Sequence, residues 1–157
     1  MSYSGSALRK GIYAEIHVHD ASTAQSIATG VTYTKLTLFT DNGLSSNCTA
    51  DVANDKIIVT HPGIYQVQCH LSLTAASNNV IFKSAPFVDG VEQDCTHWER
   101  KIALGGDVGA MGFSGLISAA VADVPIDVDV RIRHDQGGAE DITVTYANFN
   151  IIYIGEI

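Results

Sequence analysis

Polar and apolar positions alternate along most of the chain, most clearly over residues 64–73. There Tyr65, Val67, Cys69, Leu71 and Leu73 share one face, and Gln66, Gln68, His70 and Ser72 share the other. A period of two held for about ten residues marks a β-strand with one face in a core. The same reading predicts strands over 12–19, 32–39, 56–60, 64–73, 80–88, 91–98, 111–121, 126–134 and 142–154. No segment carries a helical stripe, and Gly112 and Gly115 count against a long helix near 116–122.

The separators are turn chemistry: Asp41-Asn42-Gly43, His61-Pro62-Gly63, 75–79, Asp89-Gly90, Gly105-Gly106-Asp107, 122–125 and Gln136-Gly137-Gly138. Proline fixes φ and glycine accepts positive φ. Asp89-Gly90 between two β-rich runs predicts a tight hairpin. Strands of this number and spacing predict a single all-β domain, a jelly-roll β-sandwich over 12–157, preceded by a flexible Gly/Ser-containing arm over 1–11.

The faces sort cleanly in most strands. In 126–134 Ile126, Val128, Val130 and Ile132 point one way, and Asp127, Asp129, Arg131 and Arg133 point to a wet face. The last strand differs. Phe149, Ile151 and Tyr153 lie on one side, while Tyr146, Ile152 and Ile154 lie on the other. A strand apolar on both sides needs cover on both. One side meets its own core; the other meets either a second layer of the same chain or a partner chain. All six residues are therefore candidates for a subunit interface.

Composition narrows the function classes. At 157 residues the chain can bury about 68–70% of its unfolded surface, so it needs neither disulfides nor metal to fold. Charged residues make up 17%, below the usual ~25%, as expected where sister subunits cover part of the surface. A net charge of −8 gives the chain no electrostatic reason to approach phosphate backbones, which speaks against nucleic-acid binding. No apolar run reaches the ~18–20 residues of a membrane-spanning helix, and the N-terminus lacks a signal peptide's apolar centre. Synthesis and assembly in a cytoplasm follow as the expectation. Cys48, Cys69 and Cys95 have no metal spacing and read as free thiols.

Catalytic vocabulary is sparse. Gly112-Phe113-Ser114-Gly115 misses the nucleophile-elbow spacing by one residue, and no phosphate loop or His-Glu-x-x-His stands anywhere in the sequence. His17 and His19, on one strand face, can ligate zinc only if a third ligand comes from elsewhere; otherwise they form a polar face. The loop holding Asp135 and Glu140 has the acids and glycines of a calcium site without its spacing, and reads as a solvated turn. Trp98 is either a sheet-end core residue or an interface anchor. A cupin-like enzyme would need His17, His19, His61, His70 or His97 to converge with acids on a metal. The chain is accordingly read as non-enzymatic and without a cofactor.

Pro62-Gly63-Ile64-Tyr65 entering an alternating strand, then Phe87-Val88-Asp89-Gly90-Val91-Glu92-Gln93, resembles the jelly-roll superfamily of tumour necrosis factor and the complement globular head. The segments 106–117 and 148–154 also fit, so the resemblance runs from about Thr32 onward and is strongest to phage and viral variants. It implies about ten antiparallel strands in two sheets and a compact homotrimer with the last strand near its axis. No collagen-like repeat or signal accompanies it here. The leading expectation is a trimeric decoration or cement protein on a bacteriophage capsid surface, partnered by that virion's major capsid protein. Its arm, with Tyr3, Leu8, Arg9 and Lys10, would grip the shell. The alternative is a fibre or tail-tip module that binds a host glycan or protein.

Overall fold

The computed structural model describes residues 11–157 and contains two antiparallel sheets facing each other across one core. The strands are β1 (Tyr13–Val18), β2 (Ala24–Ile27), β3 (Thr34–Lys35), β4 (Asp41–Ser46), β5 (Cys48–Asp51), β6 (Lys56–Val59) and β7 (Gly63–Ala75). They continue as β8 (Val80–Val88), β9 (Val91–Glu92), β10 (Trp98–Ile102), β11 (Gly109–Ala119), β12 (Ile126–His134) and β13 (Glu140–Gly155). The first sheet runs β11-β7-β13-β1-β4, with β2 also on β13; the second runs β10-β8-β12-β6-β5, with β3 on β12 and β9 on β8. Consecutive long strands fall in opposite sheets, which is the jelly-roll manner of wrapping a chain around a core.

The core is the sum of the inward faces. Ile16, Tyr65, Leu73, Phe149 and Ile151 from the first sheet meet Ile57, Phe82, Ile126 and Ile132 from the second. The Tyr65 ring enters this core with its hydroxyl donating to the His61 carbonyl at 2.8 Å, so the His-Pro-Gly turn is tied to the strand it launches. A Cβ on Gly63 would overlap the Tyr153 ring and crowd the Gly155 carbonyl, which accounts for glycine at that turn.

Several predicted elements survive with changed bounds. The strand expected over 32–39 shrinks to β3, and that over 91–98 breaks into β9, a 3-10 turn over Asp94–Thr96 and the start of β10. Asp41-Asn42-Gly43, expected to be a turn, lies inside β4, where a register shift opposite Ala14–Ile16 absorbs the irregular residues. The wet face expected on β12 is largely covered: Asp129 is buried, and Arg131 grips it through both carboxylate oxygens while lying over the Phe87 ring. The segment carrying β3 pairs with β12 there and brings Lys35 within 3.7 Å of Asp129.

Candidate functional site

The outward face of the first sheet is built from four rungs that register directly across its strands. At one end Tyr13, Ile152, Gln66 and Leu116 stand side by side on β1, β13, β7 and β11. Next come Glu15, Asn150, Gln68 and Ser114, then His17, Asn148, His70 and Gly112, and last Tyr146, Ser72 and Ala110. Alternation places these side chains opposite the core-facing ones of the same strands. The first rung is open and, apart from Gln66, apolar: Ile152 is 47% exposed and Leu116 60%, with Ile154 at 55% just beyond.

The middle rungs are stitched together by their own polar groups. Glu15 accepts from the Leu44 backbone N–H and from Asn148 Nδ2, each at 3.2 Å, and Asn150 Nδ2 donates to Asn148 Oδ1 at 2.8 Å. At the far end lies an open groove of about 810 Å³, walled by the exposed rings of Trp98 and Tyr146 and by Met111, with His17 and His70 along it. Tyr146 donates its hydroxyl to Asp20, a hydrogen bond that together with the carboxylate's charge pushes the phenol pKa up, and His19 packs edge-on against the Tyr146 ring.

The six residues expected at a subunit interface therefore divide. Phe149 and Ile151 have no exposed surface and belong to the chain's own core. Tyr153 is half-buried and packs edge-on against Tyr65. Tyr146, Ile152 and Ile154 face outward. The arm residues Tyr3, Leu8, Arg9 and Lys10 lie outside the described residues.

The histidines do not converge. His17 and His70 share a rung with Asn148 between them, His19 pairs with Asp20 at 3.2 Å, and His61 bonds the Asn47 carbonyl. His97 meets Glu92 at 2.8 Å, and with Asp94 their ligand atoms lie within 4.8 Å of one another. Such a set could hold a divalent cation, and the short His97–Glu92 contact already holds two of its three members together. Sequence reading noted His97 without its two neighbours, because only the 3-10 turn folds the three together. Asp135 and Glu140 go to different places. Asp135 accepts from the Ile81 N–H at 2.9 Å, which holds its carboxyl below the ordinary range; Glu140, buried, accepts from the Ser77 N–H at 2.7 Å. Both serve as backbone staples.

Among the described residues, the Cys48 and Cys69 thiols are buried. Burial pushes the Cys48 thiol up to about 11 and raises the Cys69 thiol further, so neither is poised as a nucleophile. Trp98 is 53% exposed at the groove's wall, which makes it a surface residue and not part of the sheet-end core. No helix is long and apolar enough to cross a membrane among the described residues.

No family model matches the sequence, and no curated protein matches it. Solved structures do. Eiger, a tumour necrosis factor of S. frugiperda, aligns with a TM-score of 0.63 at 9% identity, covering 95% of this chain and 96% of that one. The globular domain of zebrafish complement 1qA aligns at 0.59 and 16% identity, over 93% and 99%. Murine APRIL aligns at 0.53 and 11% identity, over 90% and 99%. With two facing antiparallel sheets, a Pro-Gly-launched strand inside the first and these alignments over nearly the whole chain, the protein has a jelly-roll fold like that of tumour necrosis factor and the complement globular head.

Proposed function

We propose that the chain is a non-enzymatic structural protein of a virion, a homotrimer that decorates or cements a bacteriophage capsid. The observation that carries the reading is the open apolar rung, Tyr13–Ile152–Leu116 with Ile154, on an otherwise ordered sheet face. Exposed apolar side chains gathered on one sheet face mark a site of association, with Gln66 the polar member between Ile152 and Leu116. Three copies around an axis would cover it, as the resemblance to trimeric jelly rolls implies. The scattered histidines and buried thiols agree with a protein that performs no chemistry.

The shell-gripping role falls to the arm, residues 1–10, carrying Tyr3, Leu8, Arg9 and Lys10. Each contact can be weak, because three arms on one trimer act together through effective concentration. The test is deletion of residues 1–10, followed by sedimentation and by binding to capsids lacking the protein. The expected result is a particle of three truncated chains that no longer binds shells, against a full-length particle near three times 16.7 kDa. A truncated trimer that still saturates capsids removes the arm's role, and a monomer of the full chain removes the trimer.

The groove favours a second reading, a receptor-binding tip. Exposed Trp98 and Tyr146 beside Asn148 and two imidazoles are the aromatic-and-polar lining that recognises sugars or peptides. Binding of the assembled protein to a glycan array, abolished by Trp98→Ala, would select that reading over decoration.

A further inference from the structure

The β8–β9 hairpin, the 3-10 turn that follows it and the start of β10 bring together three side chains able to ligate a cation: Glu92, Asp94 and His97. His97 Nε2 lies 2.8 Å from Glu92 Oε1, and one ligand atom from each of the three falls within 4.8 Å of the others. Packing fixes the backbone beneath them. Glu92 pairs with Phe87 across the hairpin, and the Gln93 N–H donates to the Pro86 carbonyl at 3.1 Å. The buried Thr96 donates to the Gln93 carbonyl from both its N–H and its hydroxyl, at 3.1 and 3.0 Å.

We propose that Glu92, Asp94 and His97 form a binding site for one divalent cation of the zinc type, with water completing its coordination. The short His97–Glu92 contact accounts for two of the three side chains but not for Asp94. Among the described residues Asp94 has no ion pair with Lys or Arg and no side-chain hydrogen bond, yet its carboxylate shares this small volume with that of Glu92. Two carboxylates so close repel each other, and a cation held between them removes that cost. The imidazole selects the metal. One nitrogen and two carboxylate oxygens suit zinc, whereas calcium takes roughly six to eight oxygen ligands.

The dimensions fit with little movement. Zinc bonds of about 2.0–2.2 Å set neighbouring ligand atoms roughly 3–3.5 Å apart. Asp94 and His97 are exposed and Glu92 is half-buried, so side-chain rotation alone can supply the difference. An outer partner is also in place. The Tyr33 hydroxyl, shut off from solvent, lies beside the Glu92 carboxylate, and the Arg133 guanidinium sits over the Tyr33 ring, 5.1 Å from its centre. Groups of this kind orient a ligating carboxylate. A bound ion would tie the β8–β9 hairpin to the start of β10, where Trp98 walls the groove. The inference concerns the single chain and does not rest on the proposed assembly.

Equilibrium dialysis of the purified full chain against zinc chloride tests it, with calcium chloride as the contrast. The expected result is saturable binding of one zinc per chain, with calcium held at least about tenfold more weakly. His97→Ala and Asp94→Asn, both at exposed positions, should each weaken zinc binding at least about tenfold while leaving the circular dichroism spectrum unchanged. His17→Ala, in the groove beside Trp98, should bind as wild type does. Absence of saturable zinc binding overturns the proposal, as does wild-type affinity in either His97→Ala or Asp94→Asn. Loss of binding in His17→Ala places the ion in the groove, and loss in Cys95→Ser hands it to a thiol; either result overturns the proposal as well.

Discussion

Tyr65 shows how much one side chain decides in this sandwich. Its ring has no exposed surface, its hydroxyl reaches the His61 carbonyl, and the Tyr153 ring packs against it edge-on. Removing the hydroxyl in Tyr65→Phe should cost about 1 kcal/mol, read as a lowered urea midpoint with an unchanged slope. Burial pushes the Tyr65 hydroxyl up to about 12, above the ordinary ~10 of an unfolded phenol. Its stabilising share is therefore complete below pH ~10 and is lost as pH rises through the folded value. The same variant should flatten the alkaline limb of stability between those values; an unchanged limb would count against the burial argument. At this scale the sequence was legible where alternation was strict. Tyr65, Val67 and Cys69 are buried as their period demands, whereas Phe149 and Ile151 were legible as apolar without revealing which surface covers them.

Among the elements, the hairpin at Asp89-Gly90 forms as the dipeptide requires. Both residues adopt positive φ, at 47° and 81°, and Val88 pairs with Val91 across the turn. The 3-10 turn over Asp94–Thr96 was not legible, since its cause lies in another strand. Thr96 is buried over β11, and a Cβ on Gly115 would run into its methyl group. Gly115→Ala should accordingly destabilise the fold by about 2 kcal/mol through overpacking. In a Thr96→Ser background, which keeps the hydroxyl bond to the Gln93 carbonyl, most of that cost should vanish. A double-mutant cycle of denaturation midpoints reads the coupling directly, and simple additivity would show that the two residues do not share this contact. The last strand holds a similar surprise. A bulge between Val144 and Tyr146 switches the inward positions from Ile142 and Val144 to Ala147, Phe149 and Ile151, a change of parity that a period of two cannot announce.

For the whole molecule, the two faces of β13 make opposite predictions. Ile152→Asp places a charge on the open rung and should yield a folded monomer, with native circular dichroism and a mass near 16.7 kDa by sedimentation. Phe149→Asp places the same charge in the core and should unfold the chain, because an unpaired buried carboxylate has no solvent or partner. A trimer that tolerates Ile152→Asp would move the association surface elsewhere, for instance to the far groove beside Trp98.

Alternation, turn dipeptides and low charge were enough to determine an all-β sandwich, its principal strands and a final strand apolar on two sides. Those are local properties, set by the period of the pleat and by which residues accept positive φ. Assembly of the rungs on the outer sheet face, the pairing of Glu92 with His97 and the burial of Asp129 depended on which strands become neighbours. Registers between strands distant in the chain fix those outcomes, and a register is a property of the packed core, where a single bulge can turn a row of side chains from one face to the other.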